Sequence, residues 1–445
     1  MKYLLLALAL ATLSLTSAAN VKPRPKPNLK SVYEWKYIDY LWESETQKQE
    51  FVKSGKYDHK NLIPIDVDKA KDGRVFVTVV GVKGSAPATL TKVSDKVGPS
   101  GHLLAPYPDW SWYTKSDCQR ITAVYRVAID PCNKLWVLDS GVVDGVQVCP
   151  ARLLTFDLDT DQMVGKLTIP EDIARDPETG KGLLVTPIVD NDGPLCANTT
   201  VYMTDEEGSG LVVWNSVRLF RLKSEVFQPE EEHANIKIKD TSFHAKKGIS
   251  GAALSPRIFP QTTRFFTFRP LASRSLYSSD TRVIKRSTYG DKIKFYKGLD
   301  VLPSQTPAQA FSSEGTLFYG LTEQIAIGCW NRYNKMIPKH FQIVAADEER
   351  LQYASGMKVI PKVVTQSPEE LWVLTNKMHE VLNGSCDYDK VNFRILKSSI
   401  TELITGTDCE MPDAAKQMLE EALDKEQVEN GEDEATIWEV IKEAI

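Results

Sequence analysis

The residues of this chain best suited to chemistry stand at the ends of five of six short apolar runs. They are Asp139 and Ser140, Thr204 and Asp205, Arg269, Thr322 and Glu323, and Thr375 and Asn376. Carboxylates move protons and a guanidinium holds anionic oxygen, so a set drawn to one place would suit acid–base or anion-binding work. Taken singly, each also fits the plainer role of ending a strand and hydrogen-bonding its turn. Other chemistries lack their residues. There is no Ser-His-Asp signature, phosphate loop or dinucleotide fingerprint, so hydrolase, kinase and dehydrogenase readings drop out. The six histidines, His59, His102, His233, His244, His340 and His379, show no metal spacing, and His379 reads as an exposed loop residue. Asp157-Leu158-Asp159-Thr160-Asp161 resembles the start of a calcium loop, but Gln162 and Thr168 stand where that loop needs Gly and Glu, so it reads as a turn. No metal site and no cofactor is expected.

The elements that must position these residues are the runs themselves. Arg74–Val80, Lys134–Ser140, Thr200–Glu206, Arg264–Pro270, Thr316–Thr322 and Glu370–Asn376 are alike, and their first residues are 60, 66, 64, 52 and 54 positions apart. Each is β-branched and aromatic, the composition of a buried strand. A second β-like run follows each one: Ala88–Val93, Arg152–Leu158, Leu211–Trp214, Leu276–Ser279, Ile325–Trp330 and Phe393–Leu396. Hairpins repeating at this period predict an all-β fold, a six-bladed β-propeller, with the six runs as inner strands around a channel. Ser31–Trp42 reads as a strand that closes the ring against Asn392–Lys397, which removes an exposed edge. After Cys409 the pattern changes: Pro412–Gln427 has helical spacing behind a proline, and Glu434–Ile445 predicts a second short helix. The expected organisation is a signal peptide over 1–19, a Pro/basic leader over 20–30, the propeller over 31–409, and an acidic tail with a short α-helical appendage over 410–445.

Lys2, the apolar Tyr3–Leu13 and small Ser17-Ala18-Ala19 have the layout of a cleaved secretory signal, and the run is too short to span a bilayer. A secreted, extracellular protein without membrane insertion is expected. The net charge of −5 hides an uneven spread: 410–445 carries twelve acids and three bases, net −9, which leaves 1–409 at +4. No polybasic run or nucleic-acid module appears, so nucleic acid is not an expected partner. Seven cysteines without C-x-x-C spacing predict three disulfides and one leftover thiol. Asn198-Thr199-Thr200 and Asn383-Gly384-Ser385 are acceptor sequons for N-glycosylation.

Several stretches together resemble the Yellow and major royal jelly protein family of insect secreted proteins. They include Val32–Lys36, Tyr107–Trp112, Lys134–Pro150, Ser250–Pro256, Pro270–Ser273, Gly328–Asn331, Ser355–Val359, Val391–Leu396 and Gly406–Cys409, in order from about residue 31 to 409. The resemblance implies a six-bladed propeller, in agreement with the repeat count. It implies the pairs Cys132–Cys196, Cys329–Cys409 and Cys118–Cys149, leaving Cys386 odd. In amine-binding relatives a hydroxyl residue, an Asn and an aromatic hold the ligand; these correspond to Ser355, Asn376 and Met378 here. Methionine departs from the aromatic, although its sulfur still packs on rings. Other relatives convert dopachrome, a reaction that needs a base and a group to steady negative charge. Asp139 or Asp205 would be that base and Arg269 the anion holder, the last a departure from the family's usual His.

The resulting expectation is a secreted Yellow-like protein of the melanin and cuticle-pigmentation pathway that binds a small aromatic metabolite, an indole, catechol or biogenic amine, in the channel. A dopachrome-converting enzyme is the first alternative. A non-catalytic amine-binding or structural protein is the second. Oligomeric state is not legible.

Overall fold

In the computed structural model the described residues are 29–84, 86–113, 118–192, 196–257, 263–288, 293–361 and 368–417. The signal peptide, most of the leader and most of the tail helices lie outside them. Residues 413–417 are helical, within the first expected tail helix.

The chain is mostly β. Four sheets have four strands each, and a fifth has eight. The eight-stranded sheet divides into two sets of four that meet only through the Trp35–Gly101 pair. Group I is Leu62–Lys69, Val75–Gly81, Leu90–Gly98 and Gly101–Pro106. Group II is Val124–Ile129, Lys134–Asp139, Arg152–Asp157 and Gln162–Thr168; group III is Leu184–Asp192, Asn198–Asp205, Gly210–Trp214 and Leu219–Lys223. Group IV is Ile249–Leu254, Phe265–Pro270, Leu276–Asp280 and Tyr296–Gly298; group V is Gln309–Phe311, Thr316–Leu321, Ala326–Asn331 and Gln342–Ala346. Group VI takes Tyr353–Ile360, Glu370–Asn376 and Phe393–Ser399 from the end of the chain and Lys30–Trp35 from its start. The closing strand therefore pairs where the sequence placed it, but stops at Trp35. All pairing within these groups is antiparallel. The Asp157–Asp161 segment is the turn between the last two strands of group II: Asp157 Oδ1 accepts from the amides of Asp159 and Thr160, both at 3.0 Å.

The first strand of each group lies against the first strand of the next, and that of group VI returns to group I. This corrects one expectation. The six repeated runs are the second strands, and the axis is lined by the strands before them. The error has a physical cause. Second strands are covered on both faces by neighbouring groups, so they read as unbroken apolar runs. In Glu370–Asn376, Leu371 and Val373 enter the cluster shared with group V, whereas Trp372 and Leu374 enter the one shared with group I. The axial strands face a polar interior on one side and read as mixed.

Five of the six first strands are bulged at the same level, at Ile65, at Tyr125-Arg126, at Val185, at Ser250-Gly251 and at Ser355. A bulge re-aims side chains and frees backbone groups. Here the freed carbonyls bond across seams: Thr78 Oγ1 donates to Tyr125 O at 2.6 Å, Thr186 Oγ1 to Ser250 O at 2.7 Å, and Ser355 Oγ to Ile65 O at 2.7 Å.

Three disulfides form, Cys118–Cys149, Cys132–Cys196 and Cys329–Cys409, and Cys386 is free. They are the pairs the resemblance implies. No described helix is long and apolar enough to cross a membrane.

Candidate functional site: the axial mouth

The expected catalytic residues are held apart, each by its own neighbours. Asp139 is fully buried; it accepts from Arg152 Nη2 at 2.5 Å and from the amides of Ala123, Thr122 and Gly141 at 2.8, 3.0 and 3.1 Å. Asp205 repeats the device, accepting from Arg221 Nη2 at 2.6 Å and from the amides of Leu183 and Gly208 at 2.7 and 2.9 Å. Gly210 leaves room for this pair, since a Cβ there would come within 2.4 Å of the Arg221 guanidinium. Burial pushes both carboxyls above the ordinary aspartate value, with the arginines and amides working against it. Arg269 is also wholly buried; it bonds Thr306, Gln309 and the carbonyl of Ala308 across the seam between groups IV and V. Burial drives it down to about 9.

Ser355, Asn376 and Met378 do come together. Tyr353 pairs with Asn376 across the strands, and the bulge at Ser355 lets Asn376 Nδ2 donate to Ser355 Oγ at 3.0 Å. The same amide nitrogen donates to Pro64 O at 2.8 Å, and Oδ1 accepts from Met378 N at 3.0 Å. Asn376 and Ser355 are each 1% exposed, so their donors serve the seam between groups VI and I. Met378 opens the short helix Met378–Asn383 and is half-buried. His379 lies in that helix and is buried, not exposed as its position suggested; burial first, then Lys377 and Lys239, hold its imidazole down to about 4. The hairpin Asn235–Ile238/Thr241–His244 packs beside this helix, with the Phe243 ring 5.9 Å from that of Tyr353.

The floor of this mouth was not legible beforehand. Arg126, from the group II bulge, donates to Ser355 O at 3.1 Å, Pro307 O at 3.3 Å and Thr186 Oγ1 at 3.4 Å, and so ties four groups at the axis. Glu206 stands 3.9 Å from it. A lone Arg inside the otherwise apolar Val124–Ile129 was the available signal. Arg126 also lines a cavity of about 270 Å³, together with Asp66, Asp68, Lys358, Met357 and Phe311 among others. Lys358 Nζ donates to Asp66 Oδ2 at 3.0 Å and Val127 O at 2.8 Å. Burial pushes Asp68 up to about 6, with Lys358 opposing it.

Among the described residues one trio could reach a metal ion together, Glu230, Glu232 and His233, with ligand atoms within 4.8 Å of one another. Glu232 is exposed, and the trio precedes the Asn235–His244 hairpin in the chain.

The sequence profile described as Major royal jelly protein matches residues 122–409, which contains most of the seams just described. The chain belongs to the major royal jelly protein family. Among honeybee (Apis mellifera) members, Major royal jelly protein 9 is 37% identical over 388 residues, covering 85% of this chain and 90% of that one. Major royal jelly protein 7 is 39% identical over 410 residues, covering 89% and 90%; Major royal jelly protein 1 is 39% identical over 398 residues, covering 87% and 90%. In this royal jelly family member Ser355 and Asn376, near the end of the matched span, bond Ile65 and Pro64, which precede it. The sequons place Asn198 at the exposed start of its strand and Asn383 at the exposed end of the short helix.

Proposed function

We propose that this chain is a secreted six-bladed propeller that binds a small aromatic metabolite, an indole or catechol, at its axial mouth and does not transform it. The carrying observation is that Ser355 and Asn376, held in the seam, bring the half-buried Met378 into one cluster with Tyr353 and Phe243, while Asp139 and Asp205 are spent in buried ion pairs. A base must reach the proton it takes, and a fully buried carboxylate already accepting from a guanidinium and several amides has no such access. The half-buried Met378 offers sulfur to a ring. The six groups of four strands, each leaning on the next, are the blades. Three disulfides fit an oxidising compartment. Pigment formation in cuticle is the setting that the family resemblance supports.

The test is a calorimetric titration of the purified chain with serotonin and with dopamine, beside a dopachrome absorbance assay. Binding of at least one ligand, weakened by Met378→Ala, with dopachrome lost no faster than in buffer, is the expected result. Turnover abolished by Asp139→Asn or Arg269→Ala would establish the enzyme instead. Absence of binding by both ligands would remove the mouth as a site.

A further inference from the structure

We propose that Glu206 is the recognition group of this mouth and that its ligand carries two adjacent ring hydroxyls, a catechol; the inference rests on the mouth being a binding site. Glu206 follows the strand Asn198–Asp205, and its backbone is fixed from both sides: its amide donates to Leu183 O at 3.0 Å and its carbonyl accepts from Gly248 N at 2.7 Å. Its side chain is 13% exposed. Among the described residues the partner of its carboxylate is Arg126 Nη1 at 3.9 Å, beyond hydrogen-bond reach. The terminal nitrogens of Arg126 donate elsewhere, Nη1 to Thr186 Oγ1 and Nη2 to Ser355 O and Pro307 O. A carboxylate accepts about four hydrogen bonds, and with no donor of the described residues in reach this one is left to water or to a ligand that displaces it.

The surroundings select the donor. Glu206 and Arg126 cancel in charge, so a bare cation entering the mouth meets no net attraction at close range. A neutral group with two O–H donors side by side matches the two carboxylate oxygens and leaves the pair's charges balanced. Two phenols stand close to the carboxylate. Burial, and then the charge of Glu206, push Tyr125 up to about 12 and Tyr353 higher still, so both remain neutral and neither competes as an anion. Tyr353, Phe243 and Met378 belong to one packed cluster that supplies apolar contact for the ring.

Three probes in calorimetric titrations, 4-methylcatechol, 3-methylindole and phenethylamine, decide it, each with the wild-type chain and Glu206→Gln. The isosteric change keeps the fold, and an unchanged melting temperature verifies that. The expected result is that Glu206→Gln weakens 4-methylcatechol about ten- to hundredfold, the range of hydrogen bonds to a charged group, while 3-methylindole shifts by less than about twofold. Equal catechol affinity in both chains overturns the role of Glu206 and leaves the mouth standing. Preference of the wild-type chain for phenethylamine, lost in the variant, overturns the catechol assignment. Failure of all three probes to bind the wild-type chain overturns the binding site itself, and this inference with it.

Discussion

At the scale of single residues, burial decides what each polar group does. Asp139 and Asp205 carry the chemistry of a base, yet their placement makes them links between strands. Ser355 and Asn376 bind the carbonyls of Ile65 and Pro64 and so join the end of the chain to its beginning. His379 gives a pH signature. Its folded value of about 4 lies below the ordinary 6.5, so the unfolded chain takes up more protons between these values. The stability it contributes is complete above pH 6.5 and is lost as pH falls toward 4. In His379→Gln, that part of the slope in urea midpoint against pH should be missing; an unchanged slope would mean that the imidazole is solvated.

At the scale of elements, the closing strand is the decisive piece. Lys30–Trp35 pairs with Phe393–Ser399 through five residue pairs and gives group VI its fourth strand. Trp35 is 0% exposed, and its Nε1 donates to His102 O at 2.6 Å, so it holds groups VI and I together. Trp35→Ala should lower stability by about 3–5 kcal/mol, the usual range for removing a large buried aromatic. Chemical denaturation would measure it; a loss below about 1 kcal/mol, within the range of surface changes, would show that the ring closes without this strand. The repeats were readable because second strands are apolar on both faces. Their place in the groups was not, since a buried run carries no mark of which side faces the axis.

For the molecule as a whole, each group buries its faces against its neighbours. Six apolar clusters lie one to each seam, so no group has a core of its own. Unfolding should therefore be one transition. Cys329–Cys409 spans 80 residues and ties group V to the chain beyond group VI, where Thr316 Oγ1 also donates to Cys409 O at 2.6 Å. Replacing both cysteines by serine should lower stability by roughly 4 kcal/mol on loop-closure grounds. In calorimetry the single transition should move down intact. A separate early transition for groups V and VI would show that the ring is divisible.

The sequence by itself determined the β class, the number of repeats, the closing strand and, through family resemblance, the disulfide pairs. Those features depend on local composition and on periodicity, which a chain carries wherever it folds. Only the tertiary structure decided which strand faces the axis, which carboxylates are spent, and that Arg126 and Glu206 meet. Arg126 and Glu206 are 80 positions apart, and Arg126 and Ser355 are separated by 229. No pattern in the chain marks such pairs. Ring closure brings them together, and the depth at which they meet fixes whether a charge is a link or an open acceptor.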